Sequence, residues 1–420
     1  MYTHTDVLVI GAGAAGLAAA RALADAERQV IVLEARDRIG GRIWTDHVFG
    51  PIPVERGAEF IHGQRAGTWE WLRRAGLRAE SFARWSGRRI TLGGGRLAGA
   101  WLLCARPDLW RVFTLEDALA TYSGPDCSLA EWLAARRFSP LAAHIADVRL
   151  AHSNCATAAT ISVAELAHEL QLYDKGPGDF HIIEGYDRVL AAIAGGLDIR
   201  LGTAVEAIRW DADGVEAATA RGTISARKAV VTLPLALLKG GAVLFDPLLP
   251  AEKQLAIDTL AMAPAMKLLL RFAEPFWDRE LTFLTADSPV AVWWTVRPGV
   301  PLLIGFVTGP RAARLAAHGA DGALERGLAQ LDMLFGGAPR RLLVAGQVVN
   351  WATDPWARGG YSSVPPGAHG QRAALAAPVG ALHFAGEATV FDNNPATVHG
   401  ALHSGERAAV EIMGERIGQG

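Results

Sequence analysis

Gly11, Gly13 and Gly16 fall in a G-x-G-x-x-G spacing directly after a β-branched run at residues 6–10. The first glycine permits a tight turn, the second lets backbone N–H groups approach a pyrophosphate, and the third lets a helix pack closely on the strand. The helix that follows, entered through Ala15, turns its unpaired N–H groups and partial positive charge toward the phosphates. Glu34 ends the next strand-like run at about the distance of a carboxylate that binds a ribose 2′-OH, and an acid there opposes the 2′-phosphate of NADP. Ala35, Arg36, a second glycine pair (Gly40, Gly41) and Arg42 can wrap further round a diphosphate, which suits a long, enclosed dinucleotide such as FAD. The glycines alone would fit a plain turn between strand and helix. Strand, glycines, helix, strand and acid together point to dinucleotide binding.

The elements that must hold these residues can be read from periodicity. A buried parallel strand is expected at 6–10, a helix at 14–26 and a second strand at 30–33, closing a βαβ unit. Helical patterning follows at about 66–76, 114–122, 128–148 and 163–173. Short alternating runs at 199–201, 205–210, 215–218, 223–225 and 229–232 read as a small antiparallel meander returning to the main sheet. A helix-and-strand block fills 251–345. The tail reads as strand (382–384), glycine turn and a helix from 395 to about 413. With no repeat and no linker, interleaved domains are expected rather than tandem ones.

Composition narrows the function. Half the residues are apolar, enough for a large core, and the net charge of −2 gives no footprint for nucleic acid or an anionic membrane. Cys104, Cys127 and Cys155 are odd in number and lack metal-ligand spacing, so neither a disulfide framework nor a metal is expected. The first strand begins too early for a signal peptide, and the apolar stretches fall short of the roughly 20 residues that span a bilayer. A cytoplasmic location is the expectation.

Beyond the nucleotide fingerprint, the chain resembles the flavin-containing amine oxidase family, which includes monoamine oxidases, polyamine oxidases and lysine-specific histone demethylases. Segment 54–63 (VERGAEFIHG) is similar to the family stretch beneath the flavin ring, which implies close approach at Gly57 and Ala58 and places Glu59 and His62 toward the substrate cavity. Its Ile-His-Gly ending looks like polyamine oxidases more than monoamine oxidases, and the motifs together resemble polyamine oxidase-like bacterial members. Segment 384–388 (FAGEA) looks like the second flavin-binding strand, with Gly386 and with Glu387 on the ribityl or pyrophosphate region. Segment 395–401 (PATVHGA) resembles the helix aimed at the ring, with the amides of Thr397 and Val398 facing N1 and O2, where reduction places negative charge. Lys267 resembles the lysine that holds a water against N5. Tyr361 would be one wall of an aromatic cage, and Val205 would contact the adenine side. Gly360 stands where monoamine oxidases carry the flavin-linking cysteine, which implies noncovalent FAD. Thr397 stands where they carry the second cage tyrosine.

The resemblance implies an α/β fold of mixed character, with a Rossmann-like FAD-binding domain (1–75, 186–250 and 346–420) interleaved with a substrate domain of mixed sheet and helices (76–185 and 251–345). It implies oxidation of a C–N bond in a small primary or secondary amine, with hydride passing to flavin N5 and O2 giving hydrogen peroxide. Glu59 or His62 would take up the amine proton or bind a distal ammonium. A monomer or homodimer, without nucleic acid or membrane, is expected. An L-amino acid oxidase and an FAD-dependent desaturase on the same fold stay open as alternatives; the former needs a carboxylate-binding arginine, for which Arg56 and Arg65 are the nearest candidates. The pair Trp293 and Trp294 is a candidate lining for an aromatic pocket.

Overall fold

The β-branched N-terminal run forms the strand Thr3–Ile10, whose residues Val7 to Ile10 are fully buried in the computed structural model. The structure describes residues 3–82, 85–92, 96–99, 105–172, 175–286 and 289–414, so Cys104 and the end of the helical run at residue 173 lie outside it. This strand pairs in parallel with Val30–Leu33 on one side and with Gly222–Val231 on the other. The apolar run at residues 7–10 follows from being covered on both faces. The helix Ala14–Asp25 lies on one face, and the C-terminal helix Val398–Gly414 packs against that helix. The packing is close because Gly405 lacks a side chain: a Cβ there would sit 2.1 Å from the Ala15 carbonyl oxygen.

The first sheet has eight strands. Its order runs Asp198–Arg200, Val30–Leu33, Thr3–Ile10, Gly222–Val231, Val215–Thr219, Val205–Trp210, Leu244–Asp246, with Leu382–Phe384 also parallel on Gly222–Val231. Two expectations change here. The runs at 223–225 and 229–232 are one strand, since no glycine or proline interrupts them. Asp198–Arg200 is outside the meander and is a parallel edge strand, because the Gly202 and Thr203 amides continue its ladder onto the Arg36 and Glu34 carbonyls at 2.7 and 2.8 Å.

The second sheet orders Leu343–Asn350, Ala265–Phe272, Leu302–Thr308, Val292–Thr295, Phe283–Thr285, Arg89–Leu92 and Arg96–Gly99. Leu343–Asn350 pairs with Ala265–Phe272 along its length, so the chain passes between the sheets after Asn350 rather than at 345. The helix expected over 128–148 is broken in two, Leu129–Ala135 and Pro140–Ala146. Arg137 takes a positive φ of 54°, Ser139 caps the second helix and Pro140 occupies its first turn, which is where a proline is tolerated. The C-terminal helix starts at Val398, three residues later than expected, after Ala396 adopts a left-handed φ of 56°.

Candidate active site

One continuous cavity of about 750 Å³ runs from the glycine turn to the second sheet. Every site residue expected from the sequence lines it except Gly16. Gly16 acts from behind: a Cβ there would lie 1.9 Å from the Gly11 carbonyl oxygen, so only glycine lets helix and turn meet. Gly13 differs. A Cβ there would meet no protein atom within 4 Å, so the space beside it is open to a ligand.

Glu34 is buried and accepts the Ala12 amide at 2.8 Å and the Arg36 amide at 2.9 Å, which fixes its carboxylate at the groove. Arg36 is held by both Asp354 oxygens at 2.8 and 2.6 Å. Arg42 donates to the Gly360 carbonyl at 2.7 Å and to Glu387 at 2.9 Å. Burial would raise the Glu387 pKa, yet the Arg42 and Arg372 cations hold it below the ordinary carboxylate value. Its carboxylate is engaged with Arg42 and Ser362, so it shapes the groove through Arg42. At Gly57 a Cβ would fall 1.8 Å from the Arg42 carbonyl, so the segment beneath the groove can pass only as glycine. A helix N-terminus at Val398, Gly41 at φ +58° and Gly386 at φ +130° complete walls made mostly of backbone. A row of close backbone, an open glycine and a fixed carboxylate suits an extended dinucleotide.

Deeper in, Lys267 sits mid-strand and 4% exposed. Its Nζ donates to Glu59 Oε2 at 2.5 Å and to the Glu55 carbonyl at 2.9 Å. The other Glu59 oxygen accepts Trp294 Nε1 at 2.9 Å and lies 3.0 Å from His181 Nε2. Burial alone would raise the Glu59 pKa; Lys267 and His181 reverse this and hold it at about 2. Among the described residues the Glu55 carboxyl makes no ion pair, and burial pushes it up to about 8 against the Tyr186 amide, the Thr45 hydroxyl and the more distant Lys267 cation.

This arrangement revises two expected roles, those of Glu59 and Thr397. Glu59 reaches the cavity, but its oxygens are committed to Lys267, Trp294 and His181, so it positions the lysine rather than receiving an amine proton or a distal ammonium. His62 lines the cavity with Nδ1 bonded to Asp179 at 2.7 Å. The Thr397 hydroxyl donates to the Asn394 carbonyl at 2.7 Å and accepts the Gly400 amide at 3.0 Å, so it caps the helix instead of meeting substrate. Tyr361 is fixed by its hydroxyl, which donates to the Ser153 carbonyl at 2.5 Å. Neither Arg56 nor Arg65 lines the cavity; Arg56 lies 3.9 Å over the Trp44 ring.

Sequence reasoning missed His152, Asp179, Phe283 and Phe306, which also line the cavity, and His181 behind them. Strand alternation was the available signal: Trp294, Phe306 and Lys267 face one way, while Trp293 points into the opposite core and donates to Gln330 at 3.1 Å. Of the tryptophan pair, only Trp294 reaches the cavity.

Fold and site define a dinucleotide-binding α/β protein whose cavity ends on a buried lysine–carboxylate pair. The chain belongs to the family described as flavin containing amine oxidoreductase, which matches residues 14–413. It is 31% identical to lysine-specific histone demethylase 2 of Homo sapiens over 98% of this chain and 54% of that protein, so it spans about half the length of that relative. It is also 31% identical to polyamine oxidase 2 of Arabidopsis thaliana, over 96% of this chain and 87% of that one. Cyclohexylamine oxidase from Brevibacterium oxydans IH-35A superposes with a TM-score of 0.86 at 25% identity, covering 97% of this chain and 98% of the other. Putrescine oxidase bound to putrescine shares the fold, with a TM-score of 0.85 at 22% identity over 99% and 100% of the two chains.

Proposed function

We propose that the protein is an FAD-dependent oxidase of small amines, holding its cofactor noncovalently. The observation that carries this is Lys267, a buried cation set mid-strand at the cavity and neutralised by Glu59. An ammonium has three N–H groups, and two are used on Glu59 and Glu55. The third is left for a water or ligand on the cavity side. When bound, FAD would supply the two-electron oxidant for loss of a hydride from the amine α-carbon, with O2 as the final acceptor, reduced to hydrogen peroxide.

The chain's own residues bind, orient and exclude water. The open flank of Gly13 and the Val398 helix end would accept the pyrophosphate and the ring edge, and Glu34 the ribose. Tyr361 offers a ring face that orients an amine nitrogen. Phe283, Phe306 and Trp294 wall the cavity and favour the neutral, reactive form of the amine over its cation. Noncovalent binding is supported by Gly360, where a Cβ would lie 2.5 Å from Ala265 Cβ and 2.9 Å from Cys155 Sγ, leaving no space for a linking cysteine.

The test is the visible spectrum of the purified protein under anaerobic titration with monoamines, diamines, polyamines and amino acids. Bleaching by one amine class, with peroxide formed when air is admitted, supports the proposal. Bleaching by amino acids alone moves it to an L-amino acid oxidase. A protein that takes up no FAD overturns it.

A further inference from the structure

His152 lines the cavity at 1% exposure, and its surroundings fix which nitrogen carries the proton. The Thr308 amide donates to Nε2 at 3.1 Å, so Nε2 must be a lone pair. The Thr308 hydroxyl donates to the His152 carbonyl at 2.8 Å, and the ring stands edge-on to Phe306 with centroids 5.4 Å apart. Burial, reinforced by the nearby Arg311 cation and opposed by Asp147, lowers the pKa to about 3, so the ring is neutral. A neutral imidazole accepting at Nε2 carries its hydrogen on Nδ1. Among the described residues, Nδ1 has no hydrogen-bond partner. A polar side chain this deeply buried normally has all its bonds made.

The backbone around it is unusual as well. A π-helical turn, Asp147–Ala151, leads directly into His152, and Cys155 just beyond has a left-handed φ of 55°. Both features tend to mark functional sites. The placement is close to the proposed chemistry. Thr308 pairs with Ala265 and Phe306 with Lys267 across neighbouring strands, while the carbonyl of Ser153, next in sequence, anchors the Tyr361 hydroxyl.

We propose that His152 is a specificity-determining residue whose Nδ1–H binds a neutral oxygen acceptor on the substrate, such as an ether, hydroxyl or carbonyl. This rests on the amine oxidase reading and narrows it to amines that carry an oxygen function. A neutral donor matches a neutral oxygen acceptor and adds no charge to the cavity. A plain alkylamine leaves the donor dry and unpaired, which sites of this kind penalise.

The test compares ω-methoxyalkylamines of two to five methylenes with n-alkylamines of equal heavy-atom count, in wild type and in His152→Phe and His152→Asn. For at least one chain length, the ether-to-alkyl ratio of kcat/KM falls roughly tenfold or more in His152→Phe, chiefly through KM, and is partly kept by His152→Asn. If no amine bleaches the flavin, the oxidase reading itself fails. If amines bleach it but the ratio is unchanged at every length, only this inference fails. Nitrogen-15 NMR of histidine-labelled wild type gives a second reading that needs no variant. A proton on Nδ1 whose shift responds to the ethers alone supports the assignment, and a proton on Nε2 overturns it.

Discussion

Lys267 Nζ and Glu59 Oε2 stand 2.5 Å apart, joining the second sheet to the segment that runs beneath the cofactor groove. Both side chains are about 5% exposed, so each is the other's main compensation for leaving water. Removing one partner strands a buried charge. Glu59→Ala should therefore cost about 3–5 kcal/mol in denaturant unfolding, and Lys267→Met should cost less when combined with Glu59→Gln than when made alone. Lys267→Met should also slow anaerobic flavin reduction by roughly 10²-fold, by loss of a preorganised cation at the cavity. Additive stabilities in the double variant would show that the two groups do not work as a pair.

Gly13 and Gly16 separate cofactor binding from folding. A side chain at 13 meets no protein atom, whereas one at 16 strikes the Gly11 backbone. Gly13→Val should fold with near-normal circular dichroism yet retain no FAD after gel filtration. Gly16→Val should be unstable whether FAD is supplied or not. A Gly13→Val protein that keeps its flavin would place the pyrophosphate elsewhere.

The glycine turn, its two strands and Glu34 were legible because each is fixed by local chemistry: φ > 0, close approach, apolar continuity. The roles of Glu59 and Thr397 were not. Glu59 is decided by Lys267 and Trp294, more than 200 residues away, and Thr397 by the point at which its helix begins. His152 had no motif at all, since its tautomer depends on one amide of a distant strand. Sequence periodicity reported which face Trp294 and Lys267 share, but not what they meet there.

Gly360 gives a check on how the flavin is held. Acid precipitation of the wild type should leave all flavin in the supernatant. Gly360→Cys should lose about 1–3 kcal/mol from overpacking against Ala265 and Cys155, and should still release its flavin. Flavin that stays in the pellet of the variant would mean that the loop yields enough to reach the ring.

Glu55 and Glu59, four residues apart, should shape the pH dependence of stability in opposite directions. The folded pKa of Glu59 is about 2, below its ordinary 4.5, so the folded state favours the ionised form. The stability it contributes is complete above 4.5 and is lost as pH falls toward 2. For Glu55 the folded pKa is about 8, because burial favours the neutral form. Its contribution is complete below 4.5 and is lost as pH rises from 4.5 to 8. Urea midpoints measured from pH 3 to 9 with excess FAD should therefore show Glu55→Gln losing less stability than wild type between pH 5 and 8. Glu59→Gln should show the shallower loss between pH 5 and 3, from a lower starting stability. Variant curves parallel to wild type in these windows would mean that neither carboxyl has the protonation assigned to it here.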